Sequence, residues 1–163
     1  MVASGNDFVV FTASKDMKTA GYKQLASRLC DRKYGIGADG LLVLEKSSRA
    51  NMRMRIFNAD GSEAEMCGNG ARCAALYAKL EGSRAVKSRI NIETKAGIIE
   101  SEVDKDNVRI KLTTPKSLRL DIPLKINNRI LKVNFINTGV PHVVIFSSGL
   151  SKIDIAPLGR IIR

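Results

Sequence analysis

Tryptophan is absent from this 163-residue chain, and aromatic residues make up only 5% of it. A surface that stacks single-stranded bases on rings needs more of them. Histidine occurs once, as His142, and cysteine three times, as Cys30, Cys67 and Cys73. So sparse and odd a set predicts no disulfide framework. The Cys67 to Cys73 spacing is not that of a zinc ligand pair, and one histidine cannot complete the set, so no metal is expected. No apolar run is long enough to span a bilayer, which argues against a membrane partner. Met1 to Phe11 has no basic segment leading into an apolar one, so no secretory leader is expected. Together these absences predict a chain that works in the reducing cytoplasm.

The composition that remains is that of an ordinary folded domain. Hydrophobic residues supply 44% and charged residues 26%, enough for a core and too balanced for a disordered chain. The 27 Lys and Arg against 16 Asp and Glu leave a net charge of +11, which raises nucleic-acid binding as an alternative. The cations are scattered singly and in pairs, as on a solvated basic surface, so no nucleic-acid partner is expected.

Along the chain, Phe8 to Thr12 reads as a strand, and Tyr22, Leu25, Ala26, Leu29 and Cys30 share one helix face. The glycine-rich loop from Gly35 to Gly40 leads into an apolar strand, Leu41 to Leu44. It matches neither a P-loop nor a complete G-x-G-x-x-G. Met52, Met54 and Ile56 alternate with Arg53, Arg55 and Phe57 as in a half-buried strand, and Asp60-Gly61 makes a turn. Gly70 to Leu80 has helix propensity and is apolar nearly all round, which predicts a buried central helix wrapped by sheet. Strands are expected at Ile90 to Thr94, Ile98 to Val103, Val108 to Leu112, Ile130 to Ile136 and Val143 to Phe146, with Pro115 and Pro123 marking a linker. Gly5-Asn6-Asp7-Phe8-Val9-Val10 has a faint echo 134 positions later in Gly139-Val140-Pro141-His142-Val143-Val144. If the echo marks a repeat, a second copy starts after Pro115, and its counterpart of Cys67 falls near position ~201.

Cys67 carries the chemistry. It precedes the central helix, where unpaired backbone N–H groups and the helix dipole favour a thiolate. Gly68 and Gly70 let an anion approach those amides closely. A thiolate beside a carboxylate cradle suits removal of a proton next to a substrate carboxylate. The competing reading is a packed cysteine at a helix start, which two flanking glycines would pack poorly. Cys30 and Cys73 lie on apolar helix stripes and read as core residues.

Four segments, in order, closely resemble the diaminopimelate epimerase family. They are Gly5-Asn6-Asp7-Phe8, the run from Asp31 to Gly40, Phe57-Asn58-Ala59-Asp60-Gly61-Ser62-Glu63, and Cys67-Gly68-Asn69-Gly70-Ala71-Arg72-Cys73. Asn137-Thr138-Gly139-Val140-Pro141-His142 resembles the start of that family's second domain. The resemblance implies an α/β (α+β) fold of two pseudo-symmetric domains, each a curled, mostly antiparallel sheet around a central helix. Residues 1–114 would form the first domain and 115–163 an incomplete start of the second. It also implies interconversion of LL- and meso-diaminopimelate, in lysine and peptidoglycan precursor synthesis, with neither pyridoxal phosphate nor metal. Two cysteines would work from opposite faces of the α-carbon, one taking a proton as thiolate and one returning a proton as thiol.

Carried over to this sequence, the resemblance makes Cys67 the first-domain acid/base. Gly68 and Asn69 become donors to the α-carboxylate, Asn6 and Asn58 substrate-binding residues, and His142 a residue that tunes the thiols. Family members with Gln at the position of Gly40, or Asn at that of Val140, use side chains that this sequence lacks. The second cysteine, its helix start and a Glu-Arg pair would belong to the part of the second domain beyond this chain, and Met1 lies only four residues before Gly5. The chain alone is therefore expected to be inactive unless a second half, or a homodimer mimicking it, completes the site. The rival readings are another isomerase of the same fold, such as a proline racemase relative or a phenazine-biosynthesis-type isomerase, and the basic nucleic-acid-binding module. Titration of duplex DNA at low salt separates the last. A flat curve is expected, whereas binding that weakens steeply with added salt would favour the basic module.

Overall fold

The computed structural model describes residues 1–14, 17, 21–81, 88–126 and 129–162. They fall into two compact units, Met1–Leu112 and Thr113–Arg163.

In the first unit the described residues form one eight-stranded sheet. Its strands are β1 (Val2–Ala3), β2 (Asn6–Thr12), β3 (Gly40–Glu45), β4 (Met52–Asn58), β5 (Glu63–Ala64), β6 (Arg89–Thr94), β7 (Gly97–Asp104) and β8 (Asn107–Lys111). They pair in the order β1-β2-β3-β4-β6-β7-β8, with β5 alongside β4. The β2/β3 and β4/β6 pairs are parallel and the others antiparallel. Helix α1 (Gly21–Leu29) packs on β3 and β4, and helix α2 (Gly68–Glu81) is contacted by β1 to β4 and β6 to β8. The sheet thus curls around α2, as the apolar character of that helix predicts.

β3 is buried from Gly40 to Leu44 because both of its faces are covered. Leu42 and Leu44 point into the core around α2, with Met52, Met54 and Ile56 of β4 and Ala71, Ala74 and Ala75 of the helix. Leu41 and Val43 point the other way, onto Tyr22, Ala26 and Cys30 of the α1 side and Phe57 of β4. A strand covered on both sides reads as a continuous apolar run, while one covered on a single side alternates. The small residues of α2 let the sheet come close. One part of the expectation fails: the end of α2 emerges from the sheet, leaving Leu80 68% exposed. Among the described residues, no strand covers that side chain.

On the α1 side, the Arg55 guanidinium lies against the edge-to-face pair of Tyr22 and Phe57, 5.4 and 5.2 Å from their ring centroids. It donates two hydrogen bonds to Glu63, Nε to Oε1 at 2.7 Å and Nη2 to Oε2 at 3.0 Å. Lys95 Nζ reaches the same carboxylate at 2.6 Å. This fork ties the two-residue strand β5 to β4 and so fixes the path of the chain into Cys67.

In the second unit, β9 (Lys116–Ile126), β10 (Arg129–Asn137) and β11 (Pro141–Val144) form an antiparallel sheet in the order β11-β10-β9. A one-turn 3-10 helix and α3 (Ile155–Ile162) follow. The expected linker is corrected here: Pro123 lies within β9, opposite Lys132. A proline fits there because β9 is an edge strand and can lack a ladder N–H. The last strand also ends two residues early, at Val144, and Phe146 is exposed. Each of the two echoed segments is the second strand of an antiparallel hairpin, and Gly5 and Gly139 both take positive φ in the turn, +80° and +102°.

The Arg55 fork makes a pH prediction. Arg55 first, and then Lys95, hold the Glu63 carboxyl down to about 2 from its ordinary 4.5, against the opposing effect of burial. A carboxylate whose folded pKa is lowered stabilises the fold above its unfolded pKa, and that stability fades as pH falls toward the folded one. Glu63→Gln is expected to cost on the order of 2 kcal/mol in urea unfolding at neutral pH. The difference from the parent should shrink as pH falls from about 4.5 to about 2. A difference that stays constant across that range would contradict the assignment.

Candidate active site

The start of β2, the start of β3, the end of β4 and the N-terminus of α2 meet at one end of the sheet. The register requires it: Phe8 of β2 pairs with Gly40, and Gly40 pairs with Asn58. Asn6, Asn58 and the Cys67-Gly68-Asn69-Gly70 run therefore share that end.

Cys67 caps α2. The first helical bond runs from the Ala71 N–H to the Cys67 carbonyl at 2.9 Å. The Gly70 N–H turns to the Cys67 side chain and donates to Sγ at 3.5 Å. A capping side chain that accepts the third amide leaves the first two amides of the helix without intrahelical partners. Here those amides belong to Gly68 and Asn69, and among the described residues neither has another acceptor. Two open N–H groups at the positive end of a helix form a ready site for a carboxylate. The Asn69 side chain is engaged elsewhere: its Oδ1 accepts from Arg72, which also donates to Ser4 Oγ at 3.1 Å.

Gly70 permits this approach. A Cβ there would sit 3.0 Å from Ile56 Cδ1 and 3.1 Å from Leu42 Cδ2. Gly40 is tighter still, because its Cβ would lie 2.9 Å from the Phe57 carbonyl oxygen. A longer side chain at position 40 would require the backbone to shift, so this site is shaped without one.

On the other side of the sulfur stands Asn6. Its Oδ1 accepts from Cys67 Sγ at 3.8 Å, and its Nδ2 donates to Asp39 Oδ2 at 2.8 Å. Asp39 belongs to a clamp that sequence reasoning passed over. Arg32 donates to both carboxylate oxygens of Asp7, at 3.1 and 2.9 Å, and to Asp39 Oδ1 at 2.9 Å. The backbone N–H of Asp7 donates to Asp39 Oδ2 at 3.1 Å and that of Asp39 to Asp7 Oδ1 at 2.9 Å. The Arg32 guanidinium foremost, and then the Asp39 amide, hold the Asp7 carboxyl well below the usual carboxylate range.

The glycine-rich loop delivers this clamp. Asp31 Oδ1 accepts the N–H groups of Lys33 and Tyr34, both at 2.7 Å, which turns the chain back on α1. The Gly37 and Ala38 amides then donate to the carbonyls of Leu29 and Cys30 at the end of α1. Gly35 lies so close to that helix end that a Cβ would be 2.2 Å from the Arg28 carbonyl oxygen. The glycines serve a helix terminus. The only signal for the clamp in the sequence is charge flanking the loop, because residues 7, 32 and 39 join only through the fold.

Asn58 lies at the end of β4, in a turn where its Nδ2 donates to Ser62 Oγ at 2.9 Å and its N–H to the Ser62 carbonyl at 2.8 Å. Gly61 takes φ +82° in that turn. His142 belongs to the second unit, on β11, where its Nδ1 donates to the Val140 carbonyl at 2.7 Å. That bond places the ring proton on Nδ1. All three cysteines are free: Cys30 and Cys73 are buried, which pushes both thiols up, and Cys67 is half-buried. Among the described residues, no three His, Cys, Asp or Glu side chains group as metal ligands, and no helix is long and apolar enough to cross a membrane.

In sequence the chain is similar to proteins of one family, and in structure to proteins that share its fold. A family model described as diaminopimelate epimerase matches residues 1–118. The diaminopimelate epimerase of Caldanaerobacter subterraneus is 41% identical over 172 residues, covering 95% of this chain and 61% of that protein. The one from Nitratiruptor is 46% identical over 154 residues, covering 93% of this chain and 57% of that protein. Among solved structures, a phenazine biosynthesis protein of the PhzF family from Bacillus anthracis superposes with a TM-score of 0.63 at 21% identity, over 88% of this chain and 50% of that one. A hydroxyproline epimerase from Agrobacterium vitis superposes with a TM-score of 0.61 at 17% identity, over 88% and 44%. These structural likenesses concern the fold alone. The chain spans about three fifths of the length of the curated relatives, 61% of the first. Within that span, the family match over residues 1–118 and the identity to the curated relatives agree: the chain belongs to the diaminopimelate epimerase family.

Proposed function

We propose that this chain carries one half of a two-base epimerase site for diaminopimelate, with Cys67 as its acid/base. The observation that supports this reading most is the junction at the start of α2. A half-buried thiol sits beside two open amides, those of Gly68 and Asn69. An α-amino acid whose carboxylate rests on those amides would present its α-carbon near the sulfur. The Cys67 thiolate breaks the Cα–H bond and becomes a thiol. The electron pair left on carbon spreads into the carboxylate, where the helix amides stabilise the added charge. A thiol on the opposite face returns a proton and completes the inversion, with no cofactor in the sequence of steps.

Asn6 and Asn58 are at the same end of the sheet and would hold the substrate. The second acid/base would come from the part of the relatives' length that this chain does not span. We read residues 115–163 as the start of the second domain, an idea supported by the paired hairpins at Gly5 and Gly139. His142 would act there on the thiols.

One thiol cannot reach both faces of a tetrahedral carbon, so the purified chain is expected to give no net conversion of LL- to meso-diaminopimelate. A chimera that adds the C-terminal part of the Caldanaerobacter subterraneus relative is expected to convert it. Cys67→Ala in that chimera should lower the rate by at least ~100-fold, the lower end of what a general base contributes. Rapid inversion by the isolated chain at low concentration would sink the one-base argument. A chimera that racemised proline and left diaminopimelate untouched would favour another isomerase of the same fold.

A further inference from the structure

Asp39 decides which end of the Asn6 carboxamide meets the sulfur. A carboxylate only accepts hydrogen bonds, so the Asn6 atom 2.8 Å from Asp39 Oδ2 is the nitrogen. The carbonyl end must then point the other way, and it does: Oδ1 lies 3.8 Å from Cys67 Sγ. The sulfur consequently stands between one acceptor, Asn6 Oδ1, and one donor, the Gly70 N–H at 3.5 Å. A thiol can give its proton to the first, and a thiolate can accept from the second. Each protonation state finds one partner, which suits a group that must take a proton in one direction of a reaction and return it in the other.

Asp39 cannot turn away, because its other oxygen is held by Arg32 and its own N–H by Asp7. We propose that Asp39 is a positioning residue that sets the orientation of the Asn6 carboxamide against Cys67, and that Arg32 holds Asp39 in place for it. This rests on Cys67 being the acid/base thiol, but it can be read without any substrate.

The test is alkylation of this chain by iodoacetamide, followed residue by residue by mass spectrometry. Trypsin cuts at Arg72 and so separates Cys67 from Cys73. In Asp39→Asn the Arg32 guanidinium keeps the remaining oxygen on its own side, so the new NH2 faces Asn6, gives up the bond from the Asp7 N–H, and donates to Asn6 Oδ1, which turns the Asn6 N–H groups toward the sulfur. The thiol then loses its acceptor and the thiolate gains a donor. Cys67 should react roughly fivefold faster at neutral pH, with its pH–rate profile displaced toward lower pH. Cys30 and Cys73 should remain protected, and the effect should vanish in an Asn6→Ala background.

If Asp39→Asn also exposes Cys30 and Cys73, Arg32→Gln takes its place. It keeps the carboxylate but frees it, and a smaller change in the same direction is expected. An unmoved Cys67 profile in the variant that stays folded would overturn the proposal. So would a change of equal size without Asn6. Loss of epimerisation by the chimera alongside a displaced alkylation profile would count against the proposed function and leave the orientation of Asn6 standing.

Discussion

The close approach of α2 to β3 and β4 is the constraint on which the rest of the first unit depends. Gly70 has no Cβ to collide with Leu42 and Ile56, and Ala71, Ala74 and Ala75 are fully or nearly fully buried behind it. A helix lined with small residues can be enclosed by a curled sheet, and enclosure brings its N-terminus to the end of that sheet where β2 and β3 begin. The Cys67 sulfur then takes the third helical amide and leaves the first two open. Packing inside the core and the availability of amides at its rim are thus one arrangement.

Two ion-pair systems hold the segments that arrive at this end. Arg55, packed over two rings and forked onto Glu63, ties β5 to β4 just before the chain reaches Cys67. Both partners are largely shielded from water, so removing either one leaves a poorly solvated charge without its counter-charge. Arg32 with Asp7 and Asp39 is more exposed, and screening by solvent reduces what such a pair contributes to stability. Its value is geometric. It fixes the direction of one amide, and an amide reversed end for end exchanges an acceptor for a donor at the same distance.

The second unit has a different character. Val133 is its one buried hydrophobic side chain among the described residues, and α3 has none. Strand β9 is an edge, with Pro123 and two non-glycine residues, Ser117 and Asp121, in the left-handed region. Such a segment buries little apolar surface by itself. The first unit, by contrast, has a core on each face of its sheet and places Asn6, Cys67 and the open amides without help from the second.

Much of this protein was legible in its residue order, and the reasons are local. The alternation of Met52, Arg53, Met54 and Arg55, the apolar run of β3 and the alanine-rich α2 each follow from a periodicity of two or of 3.6 residues. The position of Cys67 at a helix start was legible too, because helix propensity and the flanking glycines mark that start within four residues. The emergence of Leu80 from the sheet and the strand through Pro123 were not, since each depends on where a neighbouring strand stops. The Arg32 clamp was the least visible. Its members lie 25 and 7 residues apart and share no period. Local sequence determined most of the segments that became helix or strand and placed Cys67 at the start of α2. The direction of the Asn6 amide beside that thiol was decided only by the tertiary structure, because its orienting partner is 33 residues away and is carried there by the turn that closes α1.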